Sequence, residues 1–287
     1  MTIAVLGALG QLGRDLVPRL GSNVIPLTRA EIDLTHLETI VPTLERIRPS
    51  VLVNCAAYNF VDMAEVEREA AFAANAWGVH ALAKACGDVG CRFVHFSTDY
   101  VFGLDTTRTA PFEVDAPPGP VSVYGLSKLA GEYLIRATVA DHLIIRTCGL
   151  YGVWGTGGKG GNFVETMLRL AAQGKPLRVV YDQRCTPSYT ADVADAVVAL
   201  IRADARGLFH VTNGGSCSWY DLAADAFRQT GVKADLTPIT SAEFGAPAKR
   251  PPYSVLSNAK LAEVGVQLPR PWSEALTAYL QERQSRR

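Results

Sequence analysis

The chain has 287 residues, of which 48% are hydrophobic and 20% are charged, a composition that excludes a disordered or low-complexity protein. Its 28 lysines and arginines balance 28 aspartates and glutamates, so the net charge is zero. This balance argues against a broad basic surface for nucleic acid or an anionic membrane. A chain of this length can bury a full hydrophobic core without disulfides, and its six cysteines include no C-x-x-C pair.

No apolar stretch approaches the ~18 residues that a membrane span requires. The N-terminus enters a short apolar run and then a glycine loop, unlike a signal peptide. We therefore expect a cytoplasmic protein that binds neither nucleic acid nor membrane. The five histidines show no metal-ligand spacing, so no metal site is predicted. The oligomeric state stays open at this stage, with a homodimer as one candidate.

Short apolar runs alternate with helical patterns along the first half of the chain. Runs that are apolar on both faces are typical of buried parallel strands, and their alternation with helices is typical of βαβ units. The predicted strands lie at 3–6, 24–27, 51–53, 92–96 and 143–145, and the predicted helices at 11–20, 37–47, 64–89 and 121–137. The fold class is therefore α/β, with a Rossmann-type doubly wound parallel sheet.

The second half of the chain predicts a smaller C-terminal α/β part. Residues 104–120 carry four prolines and cannot form a continuous helix. Residues 152–161 contain six glycines and could be a lid over a site or a plain surface loop. Beyond them we expect helices near 163–173, 191–202, 219–230 and 272–283, and strands near 177–181 and 208–211.

These elements predict a division into two parts. We expect residues 1–148 to form the dinucleotide-binding domain, with residues 190–211 packing back on it. Residues 149–189 and 212–287 are expected to form the substrate-binding part.

A glycine-rich loop, Gly7-Ala8-Leu9-Gly10-Gln11-Leu12-Gly13, follows the first predicted strand. In dinucleotide sites one glycine permits the tight turn, a second lets backbone approach the pyrophosphate, and a third lets the helix pack on the strand. The N-terminus of the next helix then attracts the phosphates. We expect NADPH or NADH to bind here, while the alternative is a tight turn without a ligand. The predicted cofactor contacts are Gly7, Gly10, Gln11, Leu12 and Gly13.

The end of the second strand is where such sites bind the adenine ribose. An acidic residue is common there in NAD-specific sites, but this chain has Thr28-Arg29. Because an arginine can pair with a 2′-phosphate, Arg29 indicates NADPH or use of both cofactors. The alternative is a solvent-facing arginine. Asp33 could bond the adenine or cap a helix.

Tyr124 and Lys128 are spaced i and i+4, so they share one face of a helix. A lysine cation beside a phenol lowers the pKa of that phenol, which can then act as a general acid near neutral pH. The alternative for this common spacing is a surface helix pair.

Ser97-Thr98-Asp99 ends the fourth predicted strand. The carboxyl ends of parallel strands are where such sheets bind ligands, so a hydroxyl there could hold a substrate carbonyl or hydroxyl. The alternative is ordinary turn or cap chemistry.

The three motifs together resemble the extended short-chain dehydrogenase/reductase superfamily. Further segments resemble one branch, the dTDP-4-dehydrorhamnose reductases, over about residues 2 to 280. The resemblance implies reduction, by NADPH or NADH, of the 4-keto group of a dTDP-linked 6-deoxyhexose to give dTDP-L-rhamnose. The further segments are Asn54-Cys55-Ala56-Ala57-Tyr58, Val61-Asp62, Ala64-Glu65, Gly161-Asn162-Phe163, Asp182-Gln183, Trp219-Tyr220 and Arg250-Pro251.

The resemblance implies a role for each matching residue. Tyr124 would protonate the C4 alkoxide, while Lys128 would bind the nicotinamide ribose and lower the pKa of Tyr124. Thr98 would bind the substrate oxygen, with Asp99 nearby in the substrate site. Implied cofactor contacts are Asp33, Leu34, Ala56, Ala57 and Tyr58, and implied substrate contacts are Asn162 and Arg250, the latter as a grip on the diphosphate or, alternatively, part of a solvated turn.

The chain departs from its family at two places. Many relatives carry a tryptophan after R-T-S, whereas Cys148-Gly149 follows Arg146-Thr147 here. The missing ring leaves space or is replaced from elsewhere, with Trp154 as a candidate, and the exact sugar stays open. Some members bind magnesium through glutamates at a dimer contact, and Asp15 and Ala191 take two of those places here.

Two alternative functions stay open. One is a 4-keto reductase or epimerase acting on another nucleotide sugar. The other is a non-catalytic regulatory subunit that resembles that of methionine adenosyltransferase. The intact pair of Tyr124 and Lys128 beside Thr98 favours an enzyme.

Overall fold

A computed structural model describes residues 1–155 and 161–286 of the chain. Its strands are β1 (Ile3–Leu6), β2 (Val24–Leu27), β3 (Val51–Asn54), β4 (Arg92–Thr98), β5 (His142–Thr147), β6 (Leu150–Tyr151), β7 (Leu177–Val180), β8 (Arg184–Cys185), β9 (Ser188–Tyr189), β10 (Gly207–His210), β11 (Cys217–Ser218) and β12 (Leu236–Ile239). Its α-helices are α1 (Gln11–Leu20), α2 (Ile40–Ile47), α3 (Arg68–Phe72), α4 (Gly78–Val89), α5 (Val123–Thr138), α6 (Phe163–Ala172), α7 (Thr190–Arg202), α8 (Trp219–Thr230), α9 (Ser241–Phe244), α10 (Ala259–Glu263) and α11 (Trp272–Ser285). A π-helical turn, Ala73–Trp77, joins α3 to α4.

The central sheet has six parallel strands in the order β2-β1-β3-β4-β5-β10. Strands β1, β3 and β4 are buried along their whole length, because helices cover both faces of a parallel sheet. The strand order reverses between β1 and β3, and such sheets bind ligands at the carboxyl ends of the strands beside that reversal. The predicted Rossmann-type α/β class is confirmed.

Apolar side chains fill the space on each face of this sheet. On one face Leu16 of α1 and Val197 of α7 pack against β1 in one buried cluster. On the other face Leu44 of α2, Leu82 of α4 and Ile135 of α5 belong to a second cluster. Each fully buried leucine contributes about 1.5–3 kcal/mol relative to an exposed one. The helix α7 thus packs beside α1, although the predicted residue limits of the two parts stay a prediction.

The C-terminal part has its own core between α6, α8 and α11. Leu168, Leu222 and Leu276 belong to it, together with Tyr151 and Tyr279. The helix α8 begins where its sequence predicts, because Ser218 and Asp221 form a capping box. Small two-stranded sheets flank this core, pairing β7 with β12, β6 with β9 and β8 with β11.

The structure contains elements that the sequence did not predict. A π-helical turn lies within the predicted helices at 64–89, and the segment after Asp235, which predicted only turns and a last helix, also contains β12, α9 and α10. The short strands β6, β8, β9 and β11 were not predicted either. None of the described helices is long and apolar enough to cross a membrane. Residues 156–160, half of the glycine-rich segment expected to be a lid or surface loop, lie outside the described residues.

Candidate active site

A cavity of about 670 Å³ lies at the carboxyl edge of the central sheet. Its walls come from the glycine loop, the segments after β3 and β4, the first turns of α5 and the C-terminal part. Six of the predicted site residues do not line this cavity: Arg29, Asp33, Leu34, Ala56, Tyr58 and Arg250. The predicted residues that it brings together are Gly7, Gly10, Gln11, Leu12, Gly13, Ala57, Thr98, Asp99, Tyr124, Lys128 and Asn162.

The glycine loop has room for backbone contacts that side chains would block. Gly7 has a φ of +78°, and a Cβ atom there would lie 2.9 Å from Ala56 N. A Cβ atom at Gly13 would lie 2.3 Å from the carbonyl oxygen of Gly7. No side chain caps α1 at Gly10. The N-terminus of α1 is therefore available to an anionic group in the cavity.

Two asparagines hold the segment after β3. Asn54 Oδ1 accepts a hydrogen bond from Ala56 N at 3.0 Å. Asn75 is fully buried, accepts from Tyr58 N at 2.9 Å and donates to Tyr58 O at 2.8 Å. Asn75 lies in the π-helical turn, a feature that often marks functional sites. Asn75 was not predicted as a site residue, and its signal would have been a polar residue within an alanine-rich helical pattern.

The predicted adenine end of the site is held by an ion pair. Arg29 Nε lies 2.8 Å from Asp33 Oδ2, and the Arg29 side chain is 79% exposed. Partial burial opposes ionisation of Asp33, but hydrogen bonds from Thr35 and Arg29 outweigh it and lower the pKa of Asp33. Leu34 is buried, and its carbonyl oxygen packs against Gly78. Asp33 therefore forms a local turn with Thr35 and orients Arg29.

Tyr124 lies in the first turn of α5. Ser122 Oγ caps this helix by accepting from Gly125 N at 3.2 Å. Gly125 lets this turn approach the segment after β4, since a Cβ atom there would lie 2.2 Å from Tyr100 O. Desolvation raises the pKa of Tyr124 to about 12, while a hydrogen bond with Thr98 opposes the rise. The phenol therefore keeps its proton at neutral pH and holds it next to the Thr98 hydroxyl.

Lys128 lies one turn further along α5 and is buried. Its Nζ donates to Phe96 O at 2.6 Å and lies 3.2 Å from His95 Nε2. Burial lowers the pKa of Lys128 to about 8, and the charge of Glu132 opposes this shift. Desolvation dominates the pKa of Tyr124 in this structure, so the predicted lowering of that pKa by Lys128 stays a prediction.

Asp99 forms the floor of the cavity and is buried. Its Oδ2 accepts from Ser254 Oγ at 2.6 Å and from Cys148 Sγ at 3.1 Å, and its Oδ1 accepts from Thr98 Oγ1 at 3.1 Å. Burial raises the pKa of Asp99, which these three hydrogen bonds oppose. Asp99 thus orients Thr98. Ser254 was not predicted as a site residue, because it lies 155 residues further along the chain than Asp99.

Gln11 and Asn162 join the two parts of the chain across the cavity. Gln11 Nε2 donates to Leu150 O at 3.1 Å, and Gln11 Oε1 accepts from Asn162 Nδ2 at 3.3 Å. Asn162 also donates to Gly152 O at 2.9 Å and caps α6. The predicted cofactor residue and the predicted substrate residue are therefore direct neighbours.

Arg250 lies beside the cavity rather than in its lining. Its Nη1 and Nη2 bind Asp62 Oδ1 and Oδ2 at 3.0 and 2.9 Å. Pro251 lines the cavity, whereas Arg250 lines an adjacent one of about 530 Å³. The predicted diphosphate contact would require Arg250 to share or exchange this partner.

The aromatic wall near Gly149 comes from Trp219 at the start of α8. A Cβ atom at Gly149 would lie 3.1 Å from Trp219 Cη2, and Trp219 lines the cavity. Trp154, the replacement suggested from sequence, instead donates to Asp15 Oδ1 at 3.2 Å. That expectation is therefore wrong. The C-terminal fold brings Trp219 here, which local sequence could not indicate.

Asp15, one of the two positions compared above with the magnesium-binding glutamates that the resemblance implies, is bound within the chain. Its Oδ2 accepts from Thr190 Oγ1 at 2.5 Å, and burial raises its pKa. Within residues 1–155 and 161–286, no group of three or more His, Cys, Asp or Glu side chains could hold a metal ion.

The family model of the RmlD substrate binding domain matches residues 1–285. The chain is 41% identical over 286 residues to the spore coat polysaccharide biosynthesis protein SpsK of Bacillus subtilis, which covers 99% of this chain and 98% of the relative. It is 39% identical over 279 residues to a dTDP-4-dehydrorhamnose reductase of Mycolicibacterium smegmatis, and the match covers 96% of this chain and 83% of that relative. It is also 39% identical over 278 residues to a dTDP-4-keto-6-deoxy-D-glucose reductase of Streptomyces niveus, and the match covers 95% of this chain and 94% of that relative.

A solved structure agrees with these relatives. The dTDP-4-dehydrorhamnose reductase of Bacillus anthracis, in complex with NADP, has a TM-score of 0.92 to this chain at 36% identity, covering 98% of this chain and 100% of that one. The resemblance predicted from the sequence is confirmed. The chain belongs to the RmlD family, in the dTDP-4-dehydrorhamnose reductase branch of the extended short-chain dehydrogenases/reductases.

Proposed function

We propose that this protein reduces the 4-keto group of dTDP-4-dehydro-L-rhamnose to give dTDP-L-rhamnose, with NADPH or NADH as the reductant. One observation supports this most strongly: Thr98, Tyr124 and Lys128 lie in the same cavity as the glycine loop. A proton donor and a dinucleotide site that share one cavity are what carbonyl reduction requires. The intact set also argues against a purely regulatory role.

The residues present fit a dinucleotide. A Cβ atom at Gly7 or Gly13 would collide with backbone, so the loop stays thin where a diphosphate would approach. The diphosphate would lie at the N-terminus of α1, where it would be held by Gly10, Gln11, Leu12 and Gly13. The remainder of the cofactor would be bordered by Ala56, Ala57, Tyr58 and Leu34, with Arg29 and Asp33 at its adenine end. When bound, the cofactor supplies the hydride that reduces the carbonyl carbon.

The chain itself supplies the proton. Reduction of a ketone leaves an alkoxide oxygen, which takes its proton from the Tyr124 hydroxyl. Because the pKa of Tyr124 is about 12, the phenol is fully protonated before the reaction. Thr98 hydrogen-bonds the same substrate oxygen and is itself oriented by Asp99. The charged form of Lys128 stabilises the tyrosinate that remains, until solvent returns a proton.

The sugar nucleotide would occupy the rest of the cavity. Asp99 and Asn162 would contact the sugar side, with Trp219 as its aromatic wall. Arg250 would meet the diphosphate at the edge, where the adjacent cavity begins. An arginine suits a diphosphate because its guanidinium can donate two parallel hydrogen bonds.

A second candidate function is reduction of another dTDP-linked 4-keto sugar. The relative from Streptomyces niveus is named a dTDP-4-keto-6-deoxy-D-glucose reductase, and its identity to this chain, 39%, equals that of the dehydrorhamnose reductase from Mycolicibacterium smegmatis. The two ketones differ in sugar configuration and not in the group reduced, so the same catalytic residues would serve both.

We further propose that the protein works in the cytoplasm, without nucleic acid or membrane partners. Its six cysteines are free, which fits a reducing compartment. A homodimer is the oligomeric state that we would test, by light scattering on the purified chain.

The experiment is a turnover assay with product analysis. Purified protein, NADPH and dTDP-4-dehydro-L-rhamnose are expected to give dTDP-L-rhamnose in one-to-one ratio with oxidised cofactor. A protein that binds NADPH but forms no reduced sugar nucleotide from any dTDP-linked 4-keto sugar would refute the proposal.

A further inference from the structure

His95 is a buried titratable residue that the proposed proton step does not use. It lies in the middle of β4 and is 0% exposed. Its ring touches two polar side chains: Nδ1 lies 3.1 Å from Asn54 Nδ2, and Nε2 lies 3.2 Å from Lys128 Nζ. The structure places this imidazole directly against the lysine of the candidate catalytic set.

The orientation of Asn54 is fixed from its other side. Its Oδ1 accepts from the backbone N–H of Ala56 at 3.0 Å, and Ala56 N can only donate. The amide NH₂ of Asn54 must therefore face His95, its cross-strand partner in the β3–β4 pair. His95 Nδ1 then acts as the acceptor. A neutral imidazole whose Nδ1 accepts carries its single proton on Nε2.

The proton on Nε2 faces Lys128 Nζ. An ammonium ion has three donors and no acceptor. A charged Lys128 would therefore place a donor against the Nε2–H donor of His95, and no hydrogen bond could form between them. An uncharged amine has a lone pair that can accept from Nε2, while its own N–H still donates to Phe96 O. The hydrogen-bond network therefore matches the amine form of Lys128 better than the ammonium form.

The charged groups around Lys128 do not reverse this preference. Glu132 lies one turn away on α5, but its carboxylate is bound by Arg146 at 2.9 and 2.7 Å and by Ser97 at 2.5 Å. Tyr124, one turn earlier on α5, is neutral below its pKa of about 12. Burial lowers the pKa of His95 well below its usual range, and a charged Lys128 would lower it further, so the imidazole is neutral in either form of the lysine.

We propose that His95, oriented by Asn54, is a positioning residue whose Nε2–H favours the amine form of Lys128 over the ammonium form. The proposal concerns the lysine that the proposed function uses. It makes Lys128 a group that gains and loses a proton near neutral pH, rather than a permanent cation. Since the cationic form stabilises the tyrosinate, kcat/KM is expected to fall on the alkaline side as Lys128 loses its proton.

The direct test is the tautomer of His95 in the cofactor-free protein, read from its ring ¹⁵N chemical shifts. The expected result is a neutral ring protonated at Nε2. A ring protonated at Nδ1, or at both nitrogens, overturns the proposal. This readout needs no substrate, so it can succeed even if the proposed sugar reduction fails.

The variant Asn54→Asp tests the consequence. A carboxylate keeps the bond from Ala56 N but accepts from His95 Nδ1, which moves the ring proton to Nδ1 and frees Nε2 to accept from the ammonium ion. The alkaline limb of kcat/KM should move up by one pH unit or more, which raises the ratio of activity at pH 9 to activity at pH 7 about fivefold. His95→Gln replaces the donor by an amide whose oxygen can accept from the ammonium ion, without adding a charge, so it should shift the limb in the same direction. An unchanged limb in both variants, with folded protein, contradicts the proposal.

Discussion

The indole ring of Trp219 stands directly in front of the backbone of Gly149. A Cβ atom at position 149 would lie 3.1 Å from Trp219 Cη2 and 3.3 Å from Pro187 Cα, and Gly149 has a φ of +52°. The ring also packs against Phe163, with centroids 4.9 Å apart. The aromatic wall that we propose for the sugar site thus comes from the C-terminal part, whereas Gly149 follows shortly after β5 of the central sheet.

Removing this wall should weaken substrate binding and selectivity. In Trp219→Ala we expect KM for the nucleotide sugar to rise about tenfold, since a lost aromatic contact costs roughly 1.5 kcal/mol. The ranking of keto sugars by kcat/KM should flatten. Steady-state kinetics over a panel of dTDP-linked 4-keto sugars measures both effects, and Trp77→Ala, an exposed tryptophan, is the control. Equal kinetics in both variants would contradict the assignment.

Introducing a tryptophan at Gly149 tests the same relationship from the other side. Gly149→Trp forces a side chain into a left-handed backbone conformation and into the Trp219 ring. We expect a changed order of substrate preference together with a lower midpoint in thermal unfolding. An unchanged preference in a variant of normal stability would show that the two residues do not form the sugar wall.

Loss of the Tyr124 hydroxyl should stop the proton step and leave the cofactor site intact. We expect Tyr124→Phe to lower kcat about a thousandfold, within the range of 10²–10⁴ for general acids. NADPH binding, measured by fluorescence titration, should not change. The matched control is Tyr133→Phe, because Tyr133 lies on the same helix and is half exposed. Turnover of Tyr124→Phe near that of the control would remove Tyr124 from the mechanism.

Arg29 should distinguish the two cofactors. Its side chain is 79% exposed and is oriented by Asp33, so the guanidinium can contact a 2′-phosphate without a change in the surrounding fold. We expect Arg29→Ala to raise KM for NADPH about tenfold or more and to leave KM for NADH unchanged. Arg46→Ala, another exposed arginine, serves as the control. Equal losses for both cofactors would show that Arg29 does not bind the 2′-phosphate.

Acid should destabilise the fold partly through His210. This histidine is 1% exposed, and burial together with the charge of Arg146 lowers its pKa to about 3. Its unfolded pKa is about 6.5, so the unfolded chain binds the extra proton first, and stability is lost as pH falls below that value. Between pH 6.5 and pH 5 the free energy of unfolding should fall by about 2 kcal/mol from this group alone.

Urea unfolding of wild type and His210→Gln at both pH values measures this contribution. The variant should lose less stability between them than the wild type does. Asp15 and Asp99, whose pKa values are raised by burial, act with the opposite sign but are common to both proteins. An identical pH dependence in the two proteins would refute the role of His210.

Regular elements were the part of this fold that sequence could predict. The helix Trp219–Thr230 and the strands Ile3–Leu6 and Val24–Leu27 have the predicted bounds, because periodicity and capping are local properties. Strand β12 was not predicted because it forms by pairing with β7, almost sixty residues earlier in the chain. The π-helical turn at Ala73–Trp77 also has no periodic signal in the sequence.

The candidate site could also be predicted from the sequence only where its residues lie in local motifs. Gly7, Thr98 and Tyr124 could be proposed because each lies in a short motif beside a predicted strand or helix. Ser254 was not singled out, and Trp219 appeared only within a segment of the family resemblance, because it is tertiary packing that brings these residues to Asp99 and Gly149. Long-range contacts of this kind leave no mark on local sequence patterns.

The most direct test of the proposed activity is cofactor consumption with dTDP-4-keto-6-deoxyglucose, supplied alone and then with a 3,5-epimerase. The epimerase converts this sugar into the L-configured ketone, so the comparison identifies the substrate as well as the reaction. The account predicts NADPH oxidation, with formation of dTDP-L-rhamnose, only when the epimerase is present. Equal oxidation without the epimerase, or none in either case from protein that binds NADPH, would contradict it.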